Sequence, residues 1–426
     1  MMNWESSLNN FVLKGDFMRR LLLTALMLLL LSAQALAQEP APPKKVYGTA
    51  ALMVVVEREK GRIAVFDTID HELLGRVEGL GNLRHGTLVF SRDARYAYII
   101  ARDGTLSKVD LIEMRLDRQA KVGENSIGLA ISRDNKYIMV CNYEPGGVVI
   151  VDSATLNLVK EIPAVIKEMA DGTQIKARTV GPLDTPDNLM IFGLMEGNAV
   201  WVVDMKQKDF PVIKKFNDVG DTPYDQLITP DGRYYMVGLL NSDWMGLLDL
   251  WKLDEMKKLD VRERRAGLMA EGEKAPLYHI PHLEAWTVAG NIAFAPAFAE
   301  KRVIAYEVGT WKIIKSIPVS GTPLFVVARP GGREIWVDNV GAPGSREERL
   351  VEVIDVETME VKKTIDVGKG ALDPQFTPKG EAVYISVREE DKIAVYDADT
   401  YQLIKEFPSH KPSGVFCSDR ATKFGL

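Results

Sequence analysis

The chain has 426 residues, 46% hydrophobic and 26% charged, with a net charge of −6 at neutral pH. Composition of this kind is globular, and the absence of a long basic block excludes a nucleic-acid footprint, which needs clustered Lys and Arg. The two cysteines, Cys141 and Cys417, sit in no C-x-x-C or C-x-x-C-H arrangement. Structural zinc and covalently attached c-type haem are therefore disfavoured, and both residues read as buried thiols.

Arg19 and Arg20 precede an apolar run from Leu21 to Leu31, followed by Ala35-Leu36-Ala37. Basic, apolar and small-residue segments in that order make a secretory signal. The run is too short for a well-formed membrane span, although an uncleaved anchor is the alternative reading. Met18 is an alternative start, and no Cys near the cleavage site indicates a lipid anchor. Residues 38–45 (QEPAPPKK) read as a Pro-rich linker. The expected organisation is a signal peptide over 1–37, a linker over 38–45 and an exported, periplasmic domain over 46–426.

From residue 51 onward the sequence repeats at a period of about forty residues. Each unit has a small-residue lead-in, an apolar strand, an S/T-x-D/G turn, an aromatic-rich strand and a strand ending in Asp. HGTLVFSRDARYAYIIARDGTLSKVDLIEM (85–114) and SIGLAISRDNKYIMVCNYEPGGVVIVDSATL (126–156) show the pattern. The closing Asp recurs at 67, 110, 152, 204, 249, 355 and 397, and Tyr306-Glu307 replaces it once, giving eight copies. Side chains alternate with strand period, and β-branched and aromatic residues dominate. Only 252–270 has any helical period. Four-stranded units repeated radially predict an all-β, eight-bladed β-propeller; a linear solenoid is the alternative, but it would need capping repeats. The first unit lacks an innermost strand before ALMVVVEREK (51–60), and SGVFCSDR (413–420) matches the missing pattern. The C-terminal strand is thus expected to pair with the N-terminal blade and close the ring.

The residues leading into the innermost strands gather at one mouth of a propeller's channel. Aligned on the turn, they are His85, Asn125 with Ser126, Arg178, Tyr224 with Asp225, His279 with His282, Pro323, Asp373, and Ser413 with Gly414. Any one alone is most simply a satisfied polar side chain. Together they converge on one axis, which makes a ligand site. Neutral His can ligate a transition metal, Arg102 and Arg178 can clamp carboxylates, and Tyr224, Asp225, His279 and His282 can move protons. Phosphate loops, nucleophile elbows and H-E-x-x-H are absent.

At NSIGLAIS (125–132), PYDQLITPDGRYYMVGL (223–239), YHIPHLEAW (278–286), VVARPGGREIWV (326–337) and KPSGVF (411–416), the sequence resembles the NirF family of haem d1 biosynthesis proteins. It is similar more broadly to the haem d1 domain of cytochrome cd1 nitrite reductase, across residues 46–426. The missing C-x-x-C-H sets it apart from relatives that carry a c-type haem domain. The resemblance implies binding of haem d1 or dihydro-haem d1, with His85 as axial ligand to the iron. It implies tetrapyrrole contacts at Arg102, Asn125, Ser126, Arg178, Trp286, Asp373, Ser413 and Gly414. Tyr224, Asp225, His279 and His282 take the distal, catalytic side. Tyr224 departs from the reductase's distal His pair, which argues against nitrite reduction, and Asp373 stands where the family leads one to expect His. The implied function is a late tetrapyrrole-modifying oxidoreductase. A non-enzymatic carrier delivering the cofactor to cytochrome cd1 nitrite reductase, working with other haem d1 assembly proteins, remains the alternative, and a plain interaction scaffold the third.

Overall fold

A computed structural model describes residues 46, 48–242, 244–260, 291–297 and 300–425. The expected signal peptide and linker lie outside the described residues, as do His279, His282 and Trp286. Strand dominates, and no α-helix occurs among the described residues.

Eight antiparallel sheets follow one another along the chain. Blade 1 contains Leu52–Glu57, Arg62–Asp67 and Glu72–Val77, and its innermost strand is Pro412–Cys417 from the other end of the chain. The register is Met53 opposite Cys417, Val55 opposite Val415 and Val56 opposite Gly414. The predicted closure is therefore present. Blades 2, 3, 4 and 5 have innermost strands Thr87–Phe90, Asn125–Ile131, Thr179–Asp184 and Pro223–Ile228. Blade 6 shows three described strands, Ile292–Ala297, Arg302–Glu307 and Ile313–Pro318. Blades 7 and 8 begin with Thr322–Ala328 and Ala371–Phe376. Within 252–270, the part described beyond the turn is a strand, Met256–Asp260, paired with Trp244–Asp249. Its spaced charges suit the solvated edge of a blade as well as a helix face, so the period there was ambiguous.

The apolar core divides into eight clusters, and each spans two neighbouring blades. Val54 and Val65 of blade 1 pack with Leu88 and Ile99 of blade 2, and so on round to Tyr384 and Val395 of blade 8 against Met53 and Val415 of blade 1. Both faces of every sheet are covered, and the ring has no free face at its seam. A buried carboxylate adds to the seam. Glu57 is fully buried, is bridged by Arg62 and by Arg76 (3.3 Å), and accepts from the Ser409 hydroxyl at 3.0 Å and the His410 N–H at 3.3 Å.

The repeated residues are turn chemistry. The hydroxyl of the S/T-x-D/G turn accepts the N–H that opens the second strand: Ser91 from Tyr96 and Thr229 from Tyr234, both at 2.9 Å. The closing Asp accepts N–H groups two and three residues on, as Asp397 does from Asp399 (3.0 Å) and Thr400 (2.7 Å). These donors hold Asp355 and Asp397 below the ordinary carboxylate pKa. Asx turns of this kind set the tight reversal without needing glycine at every blade.

Two features were not expected. A two-stranded hairpin, Val165–Glu168 with Gln174–Lys176, is inserted between blades 3 and 4. Beyond the closing strand, the chain crosses the lower end of the channel. Arg92 donates to the carbonyls of Ala421 (3.4 Å) and Lys423 (2.7 Å), and the Gly425 N–H donates to Asp184 at 3.1 Å.

Candidate functional site

Five innermost strands set two residues against one near their start, at 127–128, 181–182, 224–225, 324–325 and 373–374, and the closing strand of blade 1 shifts register at Ser413. A bulge sets two residues against one on the neighbouring strand and re-aims side chains, which is why bulges cluster at barrel rims and active sites. Here the effect is to turn consecutive residues toward the axis. A cavity of about 430 Å³ results, within the size range of cofactor sites. Its wall is largely apolar, from residues such as Leu129, Leu183, Phe325 and Leu372, and His85, Tyr224, Asp225, Asp373, Ser413 and Gly414 of the expected set line it.

His85 stands at the rim, just before its strand, with no hydrogen-bond or ion-pair partner among the described residues. Burial, reinforced by the charges of Arg102 and Arg58, lowers its pKa. The imidazole is therefore neutral at pH 7, and a neutral imidazole has the lone pair that ligates iron.

The blade 5 bulge is the one with two polar members. Burial pushes the Asp225 carboxyl up to about 6, and no described residue bonds it. Tyr224 is raised by burial and by its neighbours Tyr143 and Asp225. An unpartnered carboxyl poised near neutrality beside a protonated phenol is what acid–base chemistry requires.

The other expected positions divide. Arg102 and Arg178 do not line the cavity; both guanidiniums stack on the Tyr143 ring, at 4.6 and 5.2 Å from its centre. Arg178 also pairs with Glu196 at 2.5 Å, with both side chains exposed. Ser126 is buried and donates to Asn142 at 2.5 Å, inside its own blade. The Asn125 side-chain oxygen is buried and unbonded among the described residues. Asp373 touches the cavity, but its carboxylate accepts the Val415 N–H at 2.7 Å and Gln375 at 3.1 Å. Its own N–H donates at 3.0 Å to Asp338, which also accepts the N–H groups of Leu324 (3.1 Å) and Phe325 (2.8 Å). Burial pushes Asp338 up to about 7. This relay joins the innermost strands of blades 7, 8 and 1 and fixes the cavity wall.

Four lining cations were missed: Arg58, Arg84, Arg388 and Arg420, the last of which donates to Gln375 at 2.8 Å. Burial lowers the Arg58 pKa, and so does the repulsion of Arg388 and Arg84. Neither Arg58 nor Arg84 has an ion-pair partner among the described residues. Such a cluster is a receptor for anions, carboxylates above all.

The fold and this rim define a class, the haem d1-type propeller, and the sequence matches the Cytochrome D1 heme domain family over residues 47–421. It is 43% identical to Protein NirF of Stutzerimonas stutzeri over 92% of this chain and 96% of that one. It is 44% identical to Protein NirF of Pseudomonas aeruginosa over 90% and 95%. The chain belongs to the NirF family. More distantly, it is 28% identical to the dihydro-heme d1 dehydrogenase of P. aeruginosa, over 89% of this chain and 74% of that one. Among solved structures, the dihydro-heme d1 dehydrogenase NirN in complex with DHE shares the fold at a TM-score of 0.74 and 24% identity, covering 91% of this chain and 79% of that one.

Proposed function

We propose that the chain acts in haem d1 biosynthesis, binding haem d1 or its dihydro precursor across the channel mouth and acting on it as a late-stage oxidoreductase. The observation that carries this reading is the neutral, unpartnered His85 beside an apolar cavity, flanked by the unpaired Arg58 and Arg84. The donor set fits an iron tetrapyrrole: one imidazole for the metal, an apolar wall for the macrocycle and guanidiniums for its carboxylates. The names of the NirF and dihydro-heme d1 dehydrogenase relatives point the same way. When bound, the tetrapyrrole supplies the conjugated periphery at which oxidation takes place. In a dehydrogenation of the bound dihydro precursor the two electrons would pass to an external electron acceptor, Asp225 would take up a released proton, and Tyr224 would keep its own proton and donate a hydrogen bond. The rim position of His85 and the arginines also supports a second reading, a carrier that hands the ligand to cytochrome cd1 nitrite reductase. The signal-like order of residues 19–37 supports a periplasmic setting for either activity.

The test is titration of the purified protein with haem d1 and dihydro-haem d1, followed by absorbance and mass. Wild type should give a ligated-iron spectrum, and His85→Ala should lose it, with added imidazole restoring part. A His85→Ala complex spectrally identical to wild type would overturn the assignment. Conversion of the dihydro form selects the enzyme over the carrier.

A further inference from the structure

We propose that Gln226, locked by Tyr235, is the positioning residue that holds the blade 5 bulge in the form that turns Asp225 into the cavity. The proposal rests on the reading of Asp225 as proton acceptor given above.

A bulge leaves backbone groups out of the ladder, and a buried carbonyl left there costs free energy unless a side chain satisfies it. In blade 5 the ladder passes from Pro223 opposite Leu239 to Gln226 opposite Val237, so Tyr224 and Asp225 stand against the single residue Gly238. The Gln226 side chain is buried, and its amide nitrogen donates to the Tyr224 carbonyl at 3.2 Å and to the Val180 carbonyl of blade 4 at 2.9 Å. The first of these carbonyls belongs to the peptide unit whose N–H is that of Asp225. Peptide units are planar, so gripping that oxygen fixes one of the two planes that meet at the Asp225 Cα. The second contact anchors the grip to the neighbouring blade, just ahead of that blade's own bulge.

The amide serves in one sense only. Its nitrogen lies between two carbonyl oxygens, which accept and never donate. Its oxygen accepts the Tyr235 hydroxyl at 2.6 Å, and Tyr235 is fully buried between blades 4 and 5. Burial keeps that phenol protonated far above neutrality, so it is a permanent donor. Gly181, at φ +56°, makes the room: a Cβ there would come within 2.6 Å of the Gln226 nitrogen and 3.2 Å of the Tyr224 oxygen. Gln226 touches the cavity, but both ends of its amide are engaged, whereas the Asp225 carboxyl beside it has no bonded partner among the described residues. Blade 8 has a simpler tie, from the Ser386 hydroxyl to the Leu372 carbonyl at 2.8 Å. That carbonyl precedes its bulge, while the one gripped in blade 5 lies inside it.

Released, the bulge can turn the carboxyl to water or to a free backbone N–H, and either lowers its pKa. Among the described residues the titratable group facing Asp225 is Tyr224, with Tyr143 and Arg102 next to that phenol. The experiment follows, in the ligand-free full chain, the infrared carboxyl band that Asp225→Asn removes. Wild type should titrate at about 6. Tyr235→Phe and Gln226→Met should each titrate at least about one pH unit lower. Ser386→Ala, which cuts the comparable tie in blade 8, should match wild type. Tyr235→Phe, outside the cavity wall, should keep the His85-dependent spectrum with haem d1, and circular dichroism confirms that each variant is folded. Titration of Tyr235→Phe and Gln226→Met with wild type, or equal displacement in Ser386→Ala, overturns the positioning role. A wild-type band titrating at about 4 overturns it together with Asp225 as acceptor. Folded wild type without a His85-dependent spectrum fails the tetrapyrrole reading, whatever the titration shows.

Discussion

Asp225→Asn should make the protein more stable at neutral pH and less active, and the gain should depend on pH in a defined way. The carboxyl lies against the cavity with no bonded partner, and burial alone raises it from an ordinary 3.8 to about 6. In the unfolded chain the group loses its proton near pH 4. In the folded chain it holds the proton until about 6, so across that interval the unfolded state is the less protonated and stability falls as pH rises. The penalty is absent below pH 4 and complete above pH 7. A shift of about two units corresponds to about 3 kcal/mol at most, and the cavity's access to solvent reduces this to about 2 kcal/mol. Asn, nearly isosteric and uncharged, removes it. Urea unfolding of wild type and variant at pH 5 and pH 8 reads the difference. The variant should lead by about 2 kcal/mol at pH 8 and by clearly less at pH 5. A gain that is absent, or the same at both pH values, would refute the reasoning that an unpaired buried charge resides at this position. Loss of dihydro-haem d1 conversion with retained binding would connect that strain to catalysis, since functional carboxyls are commonly held at a cost to stability.

Other expectations follow from the seam and the N-terminus. Glu57→Ala strands two guanidiniums, a hydroxyl and an N–H; as both arginines are partly exposed, the loss should be about 2–3 kcal/mol, seen as a lowered urea midpoint with unchanged m-value. Deleting residues 411–426 removes the partner of Leu52–Glu57 and opens a sheet edge, so the truncated chain should unfold earlier or aggregate, measured by light scattering and thermal midpoint. An unchanged midpoint would contradict the closure. If the proposed export signal is cleaved after Ala37, N-terminal sequencing of periplasmic protein should begin at Gln38; a mature chain retaining Leu21–Leu31 would refute that.

The ring was legible because its repeated residues have local jobs. Asp at the end of the third strand and Ser or Thr before the second make turn bonds within a few residues, so their spacing reveals the blade period. The site was legible only in part. Residues leading into innermost strands were found, but the turn after each second strand returns to the same mouth. Arg58, Tyr143 and Arg388 occupy that position, as Arg102 does, and aligning the repeats there would have exposed them. The commitments of Ser126 to Asn142 and of Asp373 to Val415 depend on partners sixteen and forty-two positions away, which no local pattern discloses. The bulges also escaped, since one added residue barely disturbs a hydrophobic run. Yet the bulge in blade 5 is what lets neighbours Tyr224 and Asp225 face one cavity.

The seam in blade 1 has a consequence for the order of assembly. Ser413, Gly414, Val415 and Phe416 belong to the closing strand and also form part of the cavity wall. Ahead of their arrival, the pocket lacks one of its sides, and the carboxylate relay from Asp338 through Asp373 has nothing to end on. On the proposed function, a partly folded chain would therefore offer a tetrapyrrole no complete receptor, however early His85 and the arginines emerge. Loading of the proposed ligand would then follow completion of the circle, which separates the chemistry of that ligand in time from the folding of the protein that would receive it.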